Sequence, residues 1–418
     1  MKHSDPSPAD LAALPDEDLL EAVQRQTFSF FWEASHPVSG LAPDRCTAKA
    51  VPADDLVTTG GSGFGVMALI VAAERGWVKR AAAIERLGQM LKLLIRATCY
   101  HGVFPHFLNG RTGATIPFTR KDDGGDLVET SFLMMGLLCA REFFNRDTPA
   151  ESSIRGQVNY LWNDVEWNWY TRGTSVLQWH WSPNNGWSQE LDIRGWNECL
   201  MTYLLAASAP RYSIDPRVYH KGFAVGRHFL NGKRYYDIPL PLGPNFGGPL
   251  FLSQYSFCGL DPRGLKDQYA DYWEQNVNHV RINHTHCAMN PLHHKGYGAS
   301  CWGLTSSDGP DGYAAHSPEE DDGTISPTAA LSSMPYAPKE SVRALRHFLN
   351  VHGEKIWGRF GFVDAFCERR DWYAETYLAI DQGPIVVMIE NHRTGLLWKL
   401  FMNAPEIQAG LRALSFSR

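Results

Sequence analysis

The stretch Gly-Gly-Asp-Leu-Val-Glu-Thr-Ser-Phe-Leu-Met-Met-Gly-Leu-Leu-Cys-Ala-Arg-Glu-Phe-Phe, residues 124–144, decides the fold. Read as a helix over Asp126 to Phe144, it is apolar around almost its whole circumference after the first turn. Such a helix has no face for solvent and must be enclosed by other helices. Amphipathic helical patterns stand on both sides of it. Asp16 to Ser35 carries Leu19, Leu20, Val23, Phe28, Phe31 and Trp32 at helical spacing, and Lys79 to Ala97 aligns Ile84, Leu87, Leu91, Leu94 and Ile95 on one stripe. Gly63 to Arg75 is a small-residue apolar helix, and Ser152–Trp169, Trp196–Ala207, Pro216–Leu230, Leu265–Met289, Pro338–Val351, Gly383–His392 and Pro405–Leu414 continue the series. Pro149, Pro216, Pro338 and Pro405 read as start signals, and Gly232, Gly353 and Gly395 as stops.

Strand signals are sparse. Ser175 to Trp181 alternates and is followed by Pro183-Asn184-Asn185-Gly186, which predicts a short hairpin. Tyr235 to Phe251 and Gly296 to Pro327 read as long loops, a length that is usually functional inside a compact domain. The expectation is an all-α single domain over residues 1–418, with 1–15 as a flexible tail and an α/α barrel of inner and outer helices. An α-solenoid is the rival, but no sequence repeat shows.

Composition narrows the function. The net charge is -6 and no long basic run appears, which argues against a nucleic-acid partner. No apolar run reaches the roughly 18 residues of a membrane span. The N-terminus lacks an apolar signal core, so a cytoplasmic location is expected, with the periplasm as the alternative if a leader precedes it. The eight cysteines form no Cys-x-x-Cys pair and read as small buried hydrophobes. Fourteen Trp, 16 Tyr and 21 Phe, many beside Gly, Asn or Asp, suit sugar rings, whose CH faces are apolar and whose edges are polar.

Four regions could carry chemistry. In Lys121 to Thr130, Asp126 and Glu129 share one face of a helix start, behind Asp122 and Asp123 on the entering loop. Crowded carboxylates raise at least one pKa and can keep an acid protonated near neutrality. The same Asp-x-x-Glu also matches a capping box, so capping and catalysis both fit. In Asp192 to Glu198, Trp196 could stack on a sugar, and Glu198 lies where a helix dipole favours an anion; a solvated first-turn Glu is the plain alternative. The loop holding Trp302, Asp308 and Asp322 suits a polyol-binding rim and fits no EF-hand spacing. The fourth region holds Glu375 and Asp381; Asp381 could be a catalytic base or the cap of the following helix. His279, His284, His286, His293 and His294 cluster near Cys287, but His-x-His on a helix points its rings apart, so no metal is expected there. Gly60 to Gly65 lacks the strand and Lys of a phosphate loop, and no Gly-x-Ser-x-Gly elbow exists.

Together these residues resemble the glucoamylase-like domain, typified by the β-1,2-glucan hydrolases of glycoside hydrolase family 144. The resemblance rests on Gly124–Thr130, Gln178–Pro183, Gly195–Glu198, Gly247–Phe251, Gly259–Gly264, Trp302–Thr305, Asp322–Ile325, Ala379–Pro384 and Ile389–Asn391, collinear from about Glu21 to the C-terminus. It implies an (α/α)6 barrel and inverting hydrolysis of β-1,2-glucan or its oligosaccharides without metal or other cofactor. By the same resemblance Asp122, Asp126, Glu129 and Glu198 line the cleft, with Glu198 as general acid and Asp381 as base. Trp196, Trp302, Asp308, Asp322, Tyr336 and Glu375 are the candidate substrate contacts. Many such relatives are exported, whereas this chain shows no leader, which favours imported oligosaccharides. A transglycosylase or phosphorylase on the same glucans, and a non-catalytic glycan-binding module, are the alternatives.

Overall fold

In the computed structural model, which describes residues 7–49, 54–226 and 228–418, the most apolar helices lie at the centre. The α-helices of the described residues are α1 (Pro8–Ala12), α2 (Asp16–Glu33), α3 (Thr59–Glu74), α4 (Arg80–Leu94), α5 (Leu127–Phe143), α6 (Pro149–Asp164) and α7 (Leu200–Ser208). They continue with α8 (Tyr272–Met289), α9 (Pro327–Leu331), α10 (Pro338–His347), α11 (Gly353–Ile356), α12 (Ala379–Arg393), α13 (Leu396–Asn403) and α14 (Pro405–Ala413).

The inner ring runs through α3, α5, α7, the 3-10 turns at Leu250–Ser253 and Ser256–Cys258, α9 and α12. It closes where α12 packs on α3. Gln254 joins the turns to α9 by donating to the Ala329 carbonyl at 2.9 Å and the Ser333 hydroxyl at 3.0 Å. The outer layer is α2, α4, α6, a π-turn at Tyr219–Phe223, α8 and α10. This is an (α/α)6 barrel whose main buried apolar cluster runs from Leu11 to Phe416, with a small second one at Ile238, Leu240 and Ile282.

The inner helices approach closely because small residues line their contact. A Cβ on Gly63 of α3 would lie 2.2 Å from the Phe132 carbonyl oxygen, and one on Gly136 of α5 would lie 2.2 Å from the Gly63 carbonyl oxygen. Only glycine permits that backbone approach. At the far end of α3 and α12, the fully buried Glu390 accepts from Arg75 Nε at 2.9 Å and Nη2 at 3.1 Å. Arg393 extends this network to Glu21 and Gln24 of α2, each at 2.7 Å. A buried ion pair contributes little net stability, but removing one partner strands a charge. Arg75→Met is therefore expected to cost about 3–5 kcal/mol, measured by chemical denaturation, with Arg75→Met/Glu390→Leu recovering most of the loss.

The structure corrects several sequence expectations. Residues 1–6 of the expected tail lie outside the described residues, but Pro8–Ala12 is a helix whose Ser7 and Asp10 form a capping box and whose Leu11 and Ala12 are buried. The expected helix Pro216–Leu230 shrinks to the π-turn, because Gly226, at φ 92°, turns the backbone out of helical geometry and Leu230 enters a strand. The expected Tyr235–Phe251 loop contains a strand, Ile238–Leu242, paired with Leu230–Tyr235. Its turn residues Tyr236 and Asp237 both have positive φ, 52° and 61°, as a two-residue type I′ turn requires, without the usual Asn-Gly signal. α7 begins at Leu200, so Glu198 stands in the turn before it. The expected hairpin closes through bridges Gln178–Asp192 and Ser182–Gly186, but His180–Trp181 pairs with Gly125–Asp126. All eight cysteines are free, and only Cys99 is exposed. No helix among the described residues is long and apolar enough to cross a membrane.

Candidate active site

The acidic residues gather where α3, α5, α7 and α12 begin. Asp126 is the N-cap of α5: its Oδ1 accepts from the backbone N–H groups of Val128 (3.0 Å) and Glu129 (2.9 Å). Its other oxygen faces His106 Nδ1 at 3.2 Å and accepts from Trp179 Nε1 at 3.3 Å. Capping and a place in the acidic cluster thus coexist in one side chain. The pairing of His180–Trp181 with Gly125–Asp126 brings the Trp179 indole to this carboxylate.

Glu129, one turn further, is buried and accepts from the Gly60 N–H at the start of α3 at 2.7 Å. A Cβ at Gly60 would lie 2.5 Å from Glu129 Oε2, so glycine there is needed for the carboxylate to reach the backbone. Burial pushes the Glu129 carboxyl up, and the charge on His106 opposes the shift. Burial alone would lower His106, but Glu129 and Asp126 raise it to about 9. Asp122 sits 3.0 Å from the buried His180 Nε2. Asp123 instead holds the turn, accepting from Ser182 Oγ and, at 2.5 Å, from Asn184.

Glu198 is part-exposed, and its carboxylate has no side-chain hydrogen-bond partner among the described residues. The turn holding it is fixed through its backbone, whose carbonyl accepts from Ser256 Oγ. Burial, then the charges of Asp126 and Glu129, raise its carboxyl to about 7. Those two charges reach it because α5 and α7 are ring neighbours.

Asp381, in the first turn of α12, is 2% exposed. Its Oδ1 accepts from the Tyr255 hydroxyl at 3.3 Å, and burial with the adjoining Asp364 holds its carboxyl well above the ordinary range. Asp364 is equally buried; burial, then the Asp308 charge, raise its carboxyl to about 7, while one oxygen accepts from the Asp308 N–H at 2.6 Å and its hydrogen bond with Asp381 opposes the rise. Two carboxyls in such contact share a proton rather than both ionising. Tyr255 stands between the halves of the site: its hydroxyl is raised by burial and by the charges of Asp381, Asp364 and Glu198.

Asp308 belongs to this wall, paired with Arg45 at 3.0 Å and accepting from Thr376 at 2.6 Å. Asp322 lies on the same long loop, 3.3 Å from His316 Nδ1. The other expected substrate contacts are placed differently. Trp302 is fully buried and donates to the Glu340 carbonyl, and Trp196 packs between Phe229, Phe257 and Tyr272. Tyr336 is buried with its hydroxyl accepting from Asn276. All three are core residues, drawn inside by their large apolar area. Glu375 is 78% exposed beside Lys49, on a surface hollow with Trp357 and Tyr377 that holds none of the cleft carboxylates. Open aromatic faces come instead from Phe118, stacked on His106 at 4.3 Å, and from Tyr313, which feels the Asp381 and Asp364 charges. The histidines near Cys287 serve structure: His279 bridges Ser253 and the Gly248 carbonyl, and His286 and His294 face Asp321.

His106, Tyr255, Asp364 and Arg45 were not singled out in the sequence. Asp364 had a signal, a lone carboxylate inside the apolar run Gly361-Phe362-Val363-Asp364-Ala365-Phe366. The others stand among ordinary neighbours and gain meaning only when the ring closes.

Raised carboxyls also set a stability trend. Glu198 holds its proton up to about pH 7 when folded but releases it near 4.5 when unfolded, so the folded state binds more protons in between. Its contribution is fully present below the unfolded value and is lost as pH rises through the folded one. Glu198→Gln is therefore expected to be more stable than the parent at about pH 8, by about 1–3 kcal/mol, with the gain vanishing below about pH 4.5. Thermal unfolding at the two pH values checks this.

The family model described as Glycoamylase matches residues 190–405. The chain is 41% identical over 423 residues to the exo β-1,2-glucooligosaccharide sophorohydrolase (non-reducing end) of Parabacteroides distasonis, covering 96% of this chain and 58% of that protein. It therefore spans little more than half the length of that relative. The structure of the endo-β-1,2-glucanase from Chitinophaga pinensis with sophorotriose and glucose aligns at 50% identity and a TM-score of 0.95, over 97% of this chain and 99% of the other. The endo-β-1,2-glucanase of Talaromyces funiculosus with sophorose, at 11% identity, shares the fold with a TM-score of 0.63, over 98% and 94% of the two chains.

Proposed function

This chain belongs to the glucoamylase-like family, glycoside hydrolase family 144, and from that premise we propose that it hydrolyses β-1,2-linked glucan or glucooligosaccharides with its own carboxyl groups. The observation that carries the reading is the convergence of Glu198, with its carboxyl raised to about 7, and the Asp364–Asp381 pair on the two sides of Tyr255. Glycoside hydrolysis needs an acid at the leaving oxygen and a base or nucleophile across the ring. Glu198, open to the cleft and half protonated near neutral pH, suits the acid. The Asp364–Asp381 pair, holding one proton between two carboxyls, keeps one negative charge to activate water. The cluster of Asp126, Glu129 and His106 stands beside the acid, and Phe118 and Tyr313 offer apolar faces to sugar rings.

The relatives named above act on β-1,2-glucooligosaccharides and β-1,2-glucan, which supports the substrate class. The test is incubation with linear β-1,2-glucan, β-1,2-glucooligosaccharides and a panel of other glucans, with products separated over time. Sophorose alone from the start marks exo action, and a ladder of oligomers marks endo action. Turnover restricted to another linkage, product only with added phosphate, or binding without product each overturns the proposal.

A further inference from the structure

Outside the acidic cleft, three donor side chains meet behind its wall. Cys301, His347 and His352 each offer a ligand atom, and these atoms lie within 4.8 Å of one another. Glu368 completes the group, with Oε1 3.0 Å from His352 Nε2. The local backbone is shaped for this meeting. His347 ends α10, and a π-turn, Phe348–His352, follows it directly. Five residues along an α-helix would turn the two rings about 140° apart, at 3.6 residues per turn. The wider π-turn brings positions five apart toward one face, and the two rings stand 5.8 Å apart between centroids. Single π-turns of this kind recur at functional sites.

The two imidazole nitrogens are the least satisfied atoms of the group. His347 Nε2 is buried without a hydrogen bond, and His352 Nε2 faces Glu368 Oε1 at 3.0 Å, inside the group. Buried ring nitrogens left in this state are uncommon and unfavourable. Cys301 is 2% exposed, and burial with the nearby Glu368 charge holds its thiol up. One thiolate, two imidazoles and one carboxylate are a donor set for a borderline-soft tetrahedral cation. Thiolate and carboxylate together also balance a divalent charge, which suits burial.

We propose that Cys301, His347, His352 and Glu368 bind a structural Zn²⁺ ion. On binding, the Cys301 thiol loses its proton to solvent and its sulfur takes a coordination position. Four protein ligands leave none open, so the ion supports the fold rather than the chemistry. It joins three segments: the loop that leads from Cys301 to Asp308, the end of α10, and the Phe366–Glu368 segment that follows Asp364. The backbone bonds between Ile325 and Phe366, at 2.8 and 2.9 Å, already tie the last of these segments to the chain just before α9. The ion therefore steadies the wall that holds the Asp364–Asp381 pair.

The test uses untagged full-length protein. Elemental analysis is expected to find about one zinc per chain, as a closed structural site requires. After chelation, added Co²⁺ is expected to give thiolate-to-cobalt charge-transfer absorption, retained in Cys99→Ser and lost in Cys301→Ser. Chelation is expected to lower the melting temperature of the parent and to leave that of His347→Gln unchanged. Glu368→Gln is expected to weaken Zn²⁺ binding by at least ~10-fold. A parent protein that takes up neither Zn²⁺ nor Co²⁺ overturns the proposal, as does a cobalt band that survives Cys301→Ser. If the ligand variants do not fold, the parent's metal content and cobalt spectrum decide alone.

Discussion

Glu198→Gln is expected to lower turnover on β-1,2-glucooligosaccharides by about 10²–10⁴-fold while leaving the fold intact, because a positioned general acid contributes that much. The amide keeps the shape of the side chain but has no proton to give the departing oxygen. Its backbone anchor, the carbonyl held by Ser256, is untouched. The parent should lose activity as pH rises through about 7, where Glu198 gives up its proton, and the variant should lack that alkaline limb. A substrate with a good leaving group, such as a nitrophenyl sophoroside, needs less protonation and should be hydrolysed with a smaller loss. Near-normal turnover of the unactivated oligosaccharide by the variant would remove Glu198 from the acid role.

Asp381→Asn is expected to reduce kcat by about 100-fold or more, with a smaller change in KM, since it removes the group proposed to activate water. Its partner gives the informative contrast. In Asp364→Asn the neighbouring charge disappears, so Asp381 ionises at lower pH and the acid limb of the pH–rate profile moves down. A merely structural Asp364 would leave that limb in place and change only stability. Equal loss in both variants with an unmoved profile would rule out the shared-proton pair.

The inner helices were legible because their signal is local. The apolar circumference of residues 127–143 and the small residues of 59–74 announce enclosure without knowledge of any partner. The acids at their starts were legible for the same reason, since Asp126 and Glu129 stand one turn apart on one helix. Trp196, Trp302 and Tyr336 misled because an aromatic beside Gly or Asn can face a sugar or a core, and only packing decides which. Asp364 needed Asp381 to give it meaning, and His106 needed Asp126 and Glu129, each pairing set by contacts between segments distant in the chain. The Leu230–Leu242 hairpin went unread because tertiary contacts hold Tyr236 and Asp237 at positive φ where the sequence offers no glycine.

Ring closure has a consequence for biogenesis. The last inner helix packs against both α2 and α3, and residues 45–47 pair with 376–378. The faces of α2 and α3 that meet α12 therefore wait, apolar and uncovered, until α12 has been made. Such delayed, long-range assembly is slow and exposes the chain to aggregation. Expression should accordingly respond to chaperone supply and growth temperature more than to any single surface substitution.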